Sequence, residues 1–212
     1  MLDSLTAADS TLVFKGGTCL AKVHAGFYRL SEDLDFVIPM PYGASRSERS
    51  RRAEGLKGAV SRIPNTWDVF RIVKPFIGAN NSTQYIAVVG YRSLIDRQEE
   101  MIKIEVGLRE PLLMPTFLGQ AQTLLLDPVS AKPVVPTMPV QCLSWDEAMA
   151  EKLRAALSRR EVAIRDFYDL DYAVRKWSFM PLEAPMIDLV KQKLAIPGNE
   201  SVDVSSNRLA AL

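Results

Sequence analysis

A glycine pair between a β-favouring run and a helical segment constrains the fold of this chain more than any other feature. Residues 11–14 favour a strand, Gly16 and Gly17 interrupt it, and residues 18–25 favour a helix. The next apolar strand, residues 34–38, ends at a proline. This order of elements predicts an α+β fold in which the backbone of the glycine turn is open to a ligand.

Two aspartates stand at the start of that second strand. Because side chains alternate between the faces of a strand, the carboxylates of Asp33 and Asp35 should point to one side. Leu34 and Phe36 should then pack on the other side. Paired carboxylates are what Mg²⁺ takes from a protein when phosphate and water oxygens complete its coordination. A solvated Asp-x-Asp at a strand edge is the alternative interpretation, and the spacing alone favours it.

The glycine turn supplies a second set of candidate contacts. Gly16 and Gly17 let the backbone approach a ligand closely, and the N–H groups that open the following helix favour phosphate. Thr18 and Ser31 add hydroxyl groups to the same region. A plain tight turn explains the glycine pair equally well when the pair is considered alone.

A third carboxylate is needed if two metal ions bind or if an attacking hydroxyl must lose a proton. Glu105 is the best candidate for this metal-binding position. Its neighbours Ile104 and Val106 should face inward from a strand, which leaves Glu105 on the other side together with Lys103. An exposed Lys-x-Glu pair on a sheet face is the alternative.

The composition limits the available chemistry. The 212 residues carry a formal charge of +1, which excludes a strongly basic nucleic-acid coat protein. Cys19 and Cys142 form no CxxC or Cys/His cluster, so neither a disulfide framework nor a zinc site is supported. His24 is the only histidine, which removes histidine-dependent triads. With no apolar run of roughly 20 residues and no signal-peptide pattern, we expect a cytoplasmic protein without a membrane partner.

Downstream of the aspartates the chain continues as a helix and three strands. Residues 45–63 are helical and basic, residues 67–77 and 85–94 predict an antiparallel hairpin, and residues 101–108 predict another strand. The basic segment suits a nucleic-acid backbone, although an exposed, solvated helix is the commoner meaning of such a run.

After a segment that contains six prolines, the predicted elements are helices in place of strands. Ser144 and Glu147 have the spacing of a capping box, and they open the first of three predicted helices, 145–159, 165–177 and 185–194. The predicted organisation is a core at 1–110, a proline-rich connection at 111–139, a helical region that completes the active site at 140–196, and a polar tail at 197–212.

Two stretches resemble a known family. FKGGTCLAKVHAGFYRLSEDLDFVIP is similar to the first motif of the AbiEii/AbiGii-type nucleotidyltransferase toxins, a branch of the DNA polymerase β-like nucleotidyltransferase superfamily. The similarity rests on the glycine pair, Arg29, Ser31, Asp33 and Asp35 at suitable spacing. SWDEAMAEKLRAALSRREVAIRDFYDLDYA resembles a later motif, in which one helix bears a lysine and the next opens with an aspartate. The resemblance implies a nucleotidyltransferase-like mixed sheet flanked by helices and followed by a C-terminal helical region.

The resemblance also implies a role for each matching residue. It assigns Gly17 and Ser31 to triphosphate binding, and Asp33 and Asp35 to the metal. It assigns Lys152 to the nucleotide phosphates and Asp166 to the active-site wall. The implied metal is Mg²⁺, with Mn²⁺ as an alternative, and the implied substrate is a nucleoside triphosphate.

The residues themselves support part of this assignment. Lys152 shares a helical stripe with Met149 and Ala156, which places it on or beside an apolar face where a lysine needs an anionic partner. A lysine whose ammonium extends from the edge of the stripe to solvent is the alternative. Asp166 also suits a helix start, where an acid interacts favourably with the dipole, and Asp169 is a second candidate for its role.

The resulting hypothesis is a Mg²⁺-dependent nucleotidyltransferase toxin that transfers a nucleotide to an acceptor. The resemblance implies tRNA or another RNA as that acceptor, and a cognate antitoxin as a partner. A small-molecule nucleotidyltransferase of the antibiotic-modifying type is the first alternative. A non-catalytic nucleotide-binding module is the second, although such a module need not retain both Asp33 and Asp35.

Overall fold

The computed structural model describes residues 1–94, 96–159, 163–197 and 199. The chain divides into two compact units, Met1–Leu143 and Ser144–Leu212. Apart from Pro197 and Asn199, the predicted polar tail at 197–212 lies outside the described residues. Among the residues that are described, no helix is both long and apolar enough to cross a membrane.

The first unit is built on a mixed sheet of seven strands. The strands are β1 Val13–Lys15, β2 Leu34–Val37, β3 Phe70–Ala79, β4 Gln84–Arg92, β5 Glu99–Gly107, β6 Phe117–Ala121 and β7 Met138–Cys142. Their order is β3-β4-β5-β2-β1-β7-β6, in which β2–β5 and β1–β7 are parallel and the other pairs antiparallel. The helices are α1 Leu2–Ala8, α2 Gly16–Cys19, α3 Arg46–Arg52, α4 Glu54–Ser61 and α5 Ile63–Thr66, and a π-helical turn, Leu20–His24, continues α2.

The predicted mixed sheet flanked by helices is confirmed. The hairpin predicted at 67–77 and 85–94 corresponds to β3 and β4, and the strand predicted at 101–108 corresponds to β5. The single helix predicted at 45–63 is divided into α3, α4 and α5, and α1 has no counterpart among the predicted elements.

The core of the first unit lies between one face of the sheet and helices that include α1 and α4. Phe14 and Phe36, from neighbouring strands, are 0% and 1% exposed, with ring centroids 5.3 Å apart. Ile104 of β5 belongs to the same cluster. Because side chains alternate along a strand, burial of Phe36 and Ile104 directs Asp35 and Glu105 to the opposite face.

Two arginines of the basic segment have structural partners. Arg49 is buried, and its Nε donates to the backbone carbonyl of Leu108 at 3.0 Å. Arg52 lies 3.7 Å from the carboxylate of Asp9. The segment therefore holds α3 on the sheet and α1, and only part of its charge faces solvent. The exposed arginines in it are Arg46, Arg51 and Arg62.

The segment predicted as a proline-rich connection, 111–139, contributes to the sheet. It contains β6 and the start of β7, and the first compact unit continues to Leu143, beyond the predicted limit at residue 110. β6 is an edge strand, and β7 pairs with β1 only at Cys142. Pro139 therefore lies where no second ladder requires its missing N–H, which is why a proline is compatible with this strand.

The second unit contains α6 Trp145–Ser158, α7 Ile164–Trp177 and α8 Ala184–Ala195, close to the three predicted helices. The Ser144 side chain accepts the N–H of Glu147 at 3.2 Å, which forms one half of the predicted capping box. The Glu147 carboxylate instead binds the ammonium of Lys193 at 2.6 Å, and both side chains are at most 1% exposed. This buried ion pair joins α6 to α8.

We expect Phe36→Ala to destabilise the first unit strongly, because it leaves a cavity beside Phe14 in the centre of the core. The free energy of unfolding should fall by about 3–5 kcal/mol, measured by urea denaturation. Leu118→Ala is the control, because Leu118 is 65% exposed and its truncation should change stability by less than about 0.5 kcal/mol. Equal effects of the two substitutions would contradict the assignment of the core.

Candidate active site

Three charged side chains from neighbouring strands lie side by side on the sheet face opposite the core. The antiparallel β1–β2 ladder pairs Lys15 with Asp35, and the parallel β2–β5 ladder pairs Asp35 with Glu105. Directly paired positions project to the same face of a sheet. The strand register therefore brings two carboxylates together and places an ammonium beside them.

Asp33 lies one residue before β2 and is fixed by two hydrogen bonds. Its Oδ1 accepts the backbone N–H of Lys103 at 3.2 Å. Its backbone carbonyl accepts the hydroxyl of Thr18 at 2.5 Å. These contacts hold Asp33 between β5 and α2, next to the strand that carries Asp35.

Both oxygens of the Glu105 carboxylate have partners within the protein. Oε1 accepts from Nε2 of Gln84 at 2.6 Å, and Oε2 lies 2.6 Å from Nζ of Lys103. In the part of the chain that the structure describes, no three His, Cys, Asp or Glu side chains are grouped as a metal site. Glu105, predicted as a third metal ligand, is thus held by Gln84 and Lys103.

The electrostatics of the cluster favour a bound cation. Burial, and then the charge of Glu105, raise the pKa of Asp35, against the smaller opposing effects of Lys15 and Lys103. Burial alone would lower the pKa of Lys103, but its hydrogen bond to Glu105 and the nearby carboxylates raise it. Burial would raise the pKa of Glu105, but Lys103 and Gln84 lower it. Asp35 is therefore the carboxylate whose ionised form is least compensated by the protein.

The glycine turn lies directly against Asp35. Gly16 has φ +75°, and a Cβ atom at this position would lie 2.8 Å from Cβ of Asp35. Only glycine combines this left-handed conformation with so close an approach. The helix predicted at 18–25 begins at Gly16 as α2, and the chain then continues through the π-helical turn to His24.

Gly17 allows a different close approach, that of the Arg29 guanidinium. A Cβ atom at Gly17 would collide with Nη2 of Arg29 and lie 3.2 Å from Oγ of Ser31. Oγ of Ser31 is in turn 2.8 Å from Oγ1 of Thr18. The four residues Gly17, Thr18, Arg29 and Ser31 therefore form one continuous polar wall beside Asp33.

Lys15 and Gln84 belong to the cluster although the sequence analysis assigns them no role. Lys15 directly precedes the glycine pair, so its position offered a local signal. The contact of Gln84 with Glu105 depends on the register between β4 and β5, which places Gln84 opposite Gly107. No local pattern encodes that register.

A second cluster of charges lies within the helical unit. Nζ of Lys152 is 2.9 Å from Oδ1 of Asp166 and 2.8 Å from Oδ2 of Asp169. Arg159 also contacts Asp166, at 2.5 Å. Asp166 also lies in the first turn of α7, where an acid interacts favourably with the helix dipole, so this alternative explanation of its position stands. Asp166 and Asp169 are thus the anionic partners expected for a lysine beside the apolar face of its helix.

Residues 1–210 match the model of the family described as nucleotidyl transferase AbiEii toxin, type IV TA system. The chain belongs to the AbiEii family. It is a nucleotidyltransferase toxin of a type IV toxin–antitoxin system, which confirms the predicted family and enzyme class and implies a cognate antitoxin. Among curated proteins, no sequence matches the chain.

Solved structures of similar proteins support the fold of this AbiEii toxin. JHP933 from Helicobacter pylori is 19% identical, with a TM-score of 0.55 over 91% of this chain and 68% of that one. MenT4, a nucleotidyltransferase toxin from Mycobacterium tuberculosis, is 22% identical, with a TM-score of 0.52 over 99% of this chain and 84% of that one. At these identities the likeness concerns the fold.

In the metal-free toxin, we expect Asp35→Asn to raise the melting temperature. Because the pKa of Asp35 is raised in the folded state, its contribution to stability is full below the ordinary value and is lost as pH rises through the raised value. Calorimetry in EDTA should show a melting temperature about 2–4 °C above wild type at neutral pH, with the difference shrinking towards acid pH. Asp68→Asn, an exposed matched control, should leave the melting temperature unchanged. A lower melting temperature for Asp35→Asn would refute this account.

Lys152→Ala should destabilise the helical unit, because it leaves two carboxylates without their shared ammonium. The side chains of Asp166 and Asp169 are 3% and 0% exposed, so the charges remain buried. The expected loss is about 3–5 kcal/mol in urea denaturation followed by circular dichroism. Lys176→Ala, at an exposed lysine of α7, is the control. Wild-type stability in Lys152→Ala would show that the cluster is not structural.

Proposed function

We propose that this toxin transfers a nucleotide from a nucleoside triphosphate to an RNA acceptor in a reaction that depends on Mg²⁺: a hydroxyl of the acceptor attacks the α-phosphorus, the bond to the β-phosphate breaks, and pyrophosphate leaves. The observation that carries the proposal is the carboxylate cluster: Asp35 faces Glu105 across the β2–β5 ladder, and Asp33 is fixed beside them. Because its substrate is a nucleoside triphosphate, we place the reaction in the cytoplasm.

The residues present fit a divalent metal. Asp33 and Asp35 offer carboxylate oxygens, which are the ligands that Mg²⁺ prefers and Mn²⁺ accepts. Burial, and then the charge of Glu105, raise the pKa of Asp35, so a bound cation would stabilise its ionised form. When bound, the metal would neutralise charge on the transferred phosphoryl group. Glu105 as a further ligand stays a prediction, since it requires Lys103 to give up its contact with Oε2.

The polar wall beside the carboxylates suits the triphosphate. The hydroxyl of Ser31 is a hydrogen-bonding group that phosphate oxygens use. Direct contacts of Gly16, Gly17 and Thr18 with the phosphates stay predictions, because Asp35 and Arg29 lie against the two glycines and Thr18 is buried. Thr18 is fully buried and donates to Asp33, so it holds this wall against the metal ligands. Positioning of this kind supplies much of the acceleration of phosphoryl transfer.

Glu105 as the group that takes the proton of the attacking hydroxyl stays a prediction, because Gln84 and Lys103 hold both of its carboxylate oxygens. Lys103 and Gln84 lower its pKa, so the carboxylate is ionised at neutral pH. To act as this base, Glu105 must release one of its two partners within the protein.

The assignment of the acceptor as RNA, with tRNA the first candidate, is supported by charge and by family resemblance. Arg46, Arg51 and Arg62 are exposed on and beside the basic helices and suit phosphate contacts. A cationic small molecule is the alternative acceptor, and these arginines disfavour it. The roles of Lys152 and Asp166 at the nucleotide stay predictions, because their observed contacts are with each other.

The proposal is tested by labelling. Purified toxin is incubated with Mg²⁺ and each α-labelled nucleoside triphosphate, together with total tRNA or a panel of cationic drugs. We expect label on tRNA, and a loss of about 100-fold or more in rate for Asp33→Asn, because the metal loses one carboxylate ligand.

Three comparisons make the labelling result decisive. Asp68→Asn removes an exposed carboxylate and should retain the wild-type rate. EDTA should abolish labelling, and added Mg²⁺ or Mn²⁺ should restore it. Label on a drug in place of tRNA would refute the RNA acceptor, and undiminished labelling by Asp33→Asn would refute the metal assignment.

A further inference from the structure

We infer that Arg29 binds the terminal phosphates of the nucleoside triphosphate and thereby selects triphosphates over monophosphates. The inference rests on the proposed function and assigns a specificity residue to the same site. It follows from the position of the guanidinium, which lies on the polar wall beside the proposed metal ligands.

The contact between Arg29 and Gly17 fixes that position. A Cβ atom at Gly17 would collide with Nη2 and lie 3.3 Å from Cζ, so the guanidinium lies directly against the backbone of the turn. Arg29 therefore occupies the space that a side chain at position 17 would fill. The role of this second glycine is to admit the arginine, whereas Gly16 accommodates Asp35.

Arg29 also lies close to the hydroxyl groups of the wall. Oγ of Ser31 lies near the same point above Gly17 and 2.8 Å from Oγ1 of Thr18. Thr18 donates to the backbone carbonyl of Asp33. Hydrogen bonds through Ser31 and Thr18 therefore connect the surroundings of Arg29 to the backbone of Asp33, a proposed metal ligand.

The guanidinium is oriented by its own neighbours. Nη1 donates to the backbone carbonyl of Leu30 at 3.0 Å, and Cζ lies 5.6 Å from the ring centroid of Tyr28. These contacts reduce the freedom of a long side chain and so reduce the entropy lost on binding. A half-buried, oriented guanidinium is the side chain that matches phosphate oxygens through two parallel hydrogen bonds.

The charge of the site also favours a contact between Arg29 and the phosphates. The three carboxylates of Asp33, Asp35 and Glu105 outnumber the ammonium groups of Lys15 and Lys103, and a triphosphate adds several negative charges. A divalent metal at the carboxylates neutralises only part of this total. Arg29 adds a positive charge on the Gly17 side of the wall, and the inference assigns this charge to the terminal phosphates.

The inference is tested by binding measurements on the full-length toxin. Isothermal titration with Mg²⁺ compares a nucleoside triphosphate, the matching monophosphate and inorganic tripolyphosphate. For Arg29→Gln we expect triphosphate and tripolyphosphate affinities to fall by about 10- to 100-fold, because a charge-assisted contact is lost, while monophosphate affinity is retained. Arg29→Lys should recover only part of the loss, since an ammonium lacks the planar pair of donors.

Controls separate this role from a structural one. Arg92→Gln removes an exposed arginine outside the site and should bind all three ligands as wild type does. Unchanged triphosphate affinity in Arg29→Gln would overturn the inference. A parallel loss of monophosphate and triphosphate affinity would also overturn it, because it would indicate a collapsed turn. If wild-type toxin binds triphosphate yet labels no acceptor, the proposed function fails while the role of Arg29 stands.

Discussion

The parallel pairing of β2 with β5 is the interaction on which the site depends. It places Asp35 opposite Glu105 on the face that the core leaves free, while Phe36 and Val106 of the same strands are buried. A slip of β2 by one residue would turn Asp35 towards the apolar core and away from Glu105. The hydrophobic pattern thus specifies the active-site geometry, because the register that buries the apolar side chains is also the one that brings the acids together.

That geometry has an energetic cost which the protein offsets only in part. Asp35 is largely buried beside another carboxylate, and its pKa is raised, so folding of the metal-free chain works against its charge. Lys15 and Lys103 reduce the repulsion from either side. A site that is destabilised without its ligand is common where function requires concentrated charge. Here a bound metal would stabilise the ionised form of Asp35, and Arg29 on the polar wall would bind the phosphates.

Local patterns predict the parts of this arrangement that depend on neighbouring residues. Alternation along β2 and β5 identifies Asp35 and Glu105, and the glycine pair identifies the turn. Strand pairing between distant segments is not encoded locally, so the partners of Glu105 on β4 could not be predicted. The strands β6 and β7 were not predicted because they lie in a segment rich in prolines. Only Pro139 falls within a strand, and it is compatible with β7 because β7 pairs with β1 only at Cys142.

Charge balance distinguishes the roles of the acidic clusters in the two units. In the first unit Asp35 and Glu105 lie beside Lys15 and Lys103, yet burial and Glu105 raise the pKa of Asp35, so its charge is incompletely compensated. In the second, two buried carboxylates meet Lys152 and the partly exposed Arg159, so their charges are balanced. A balanced buried cluster contributes mainly to a unique arrangement of helices, since desolvation cancels much of its attraction. For Lys152 to bind a phosphate it must leave two carboxylates, and this exchange is favourable only if the incoming anion compensates for both contacts.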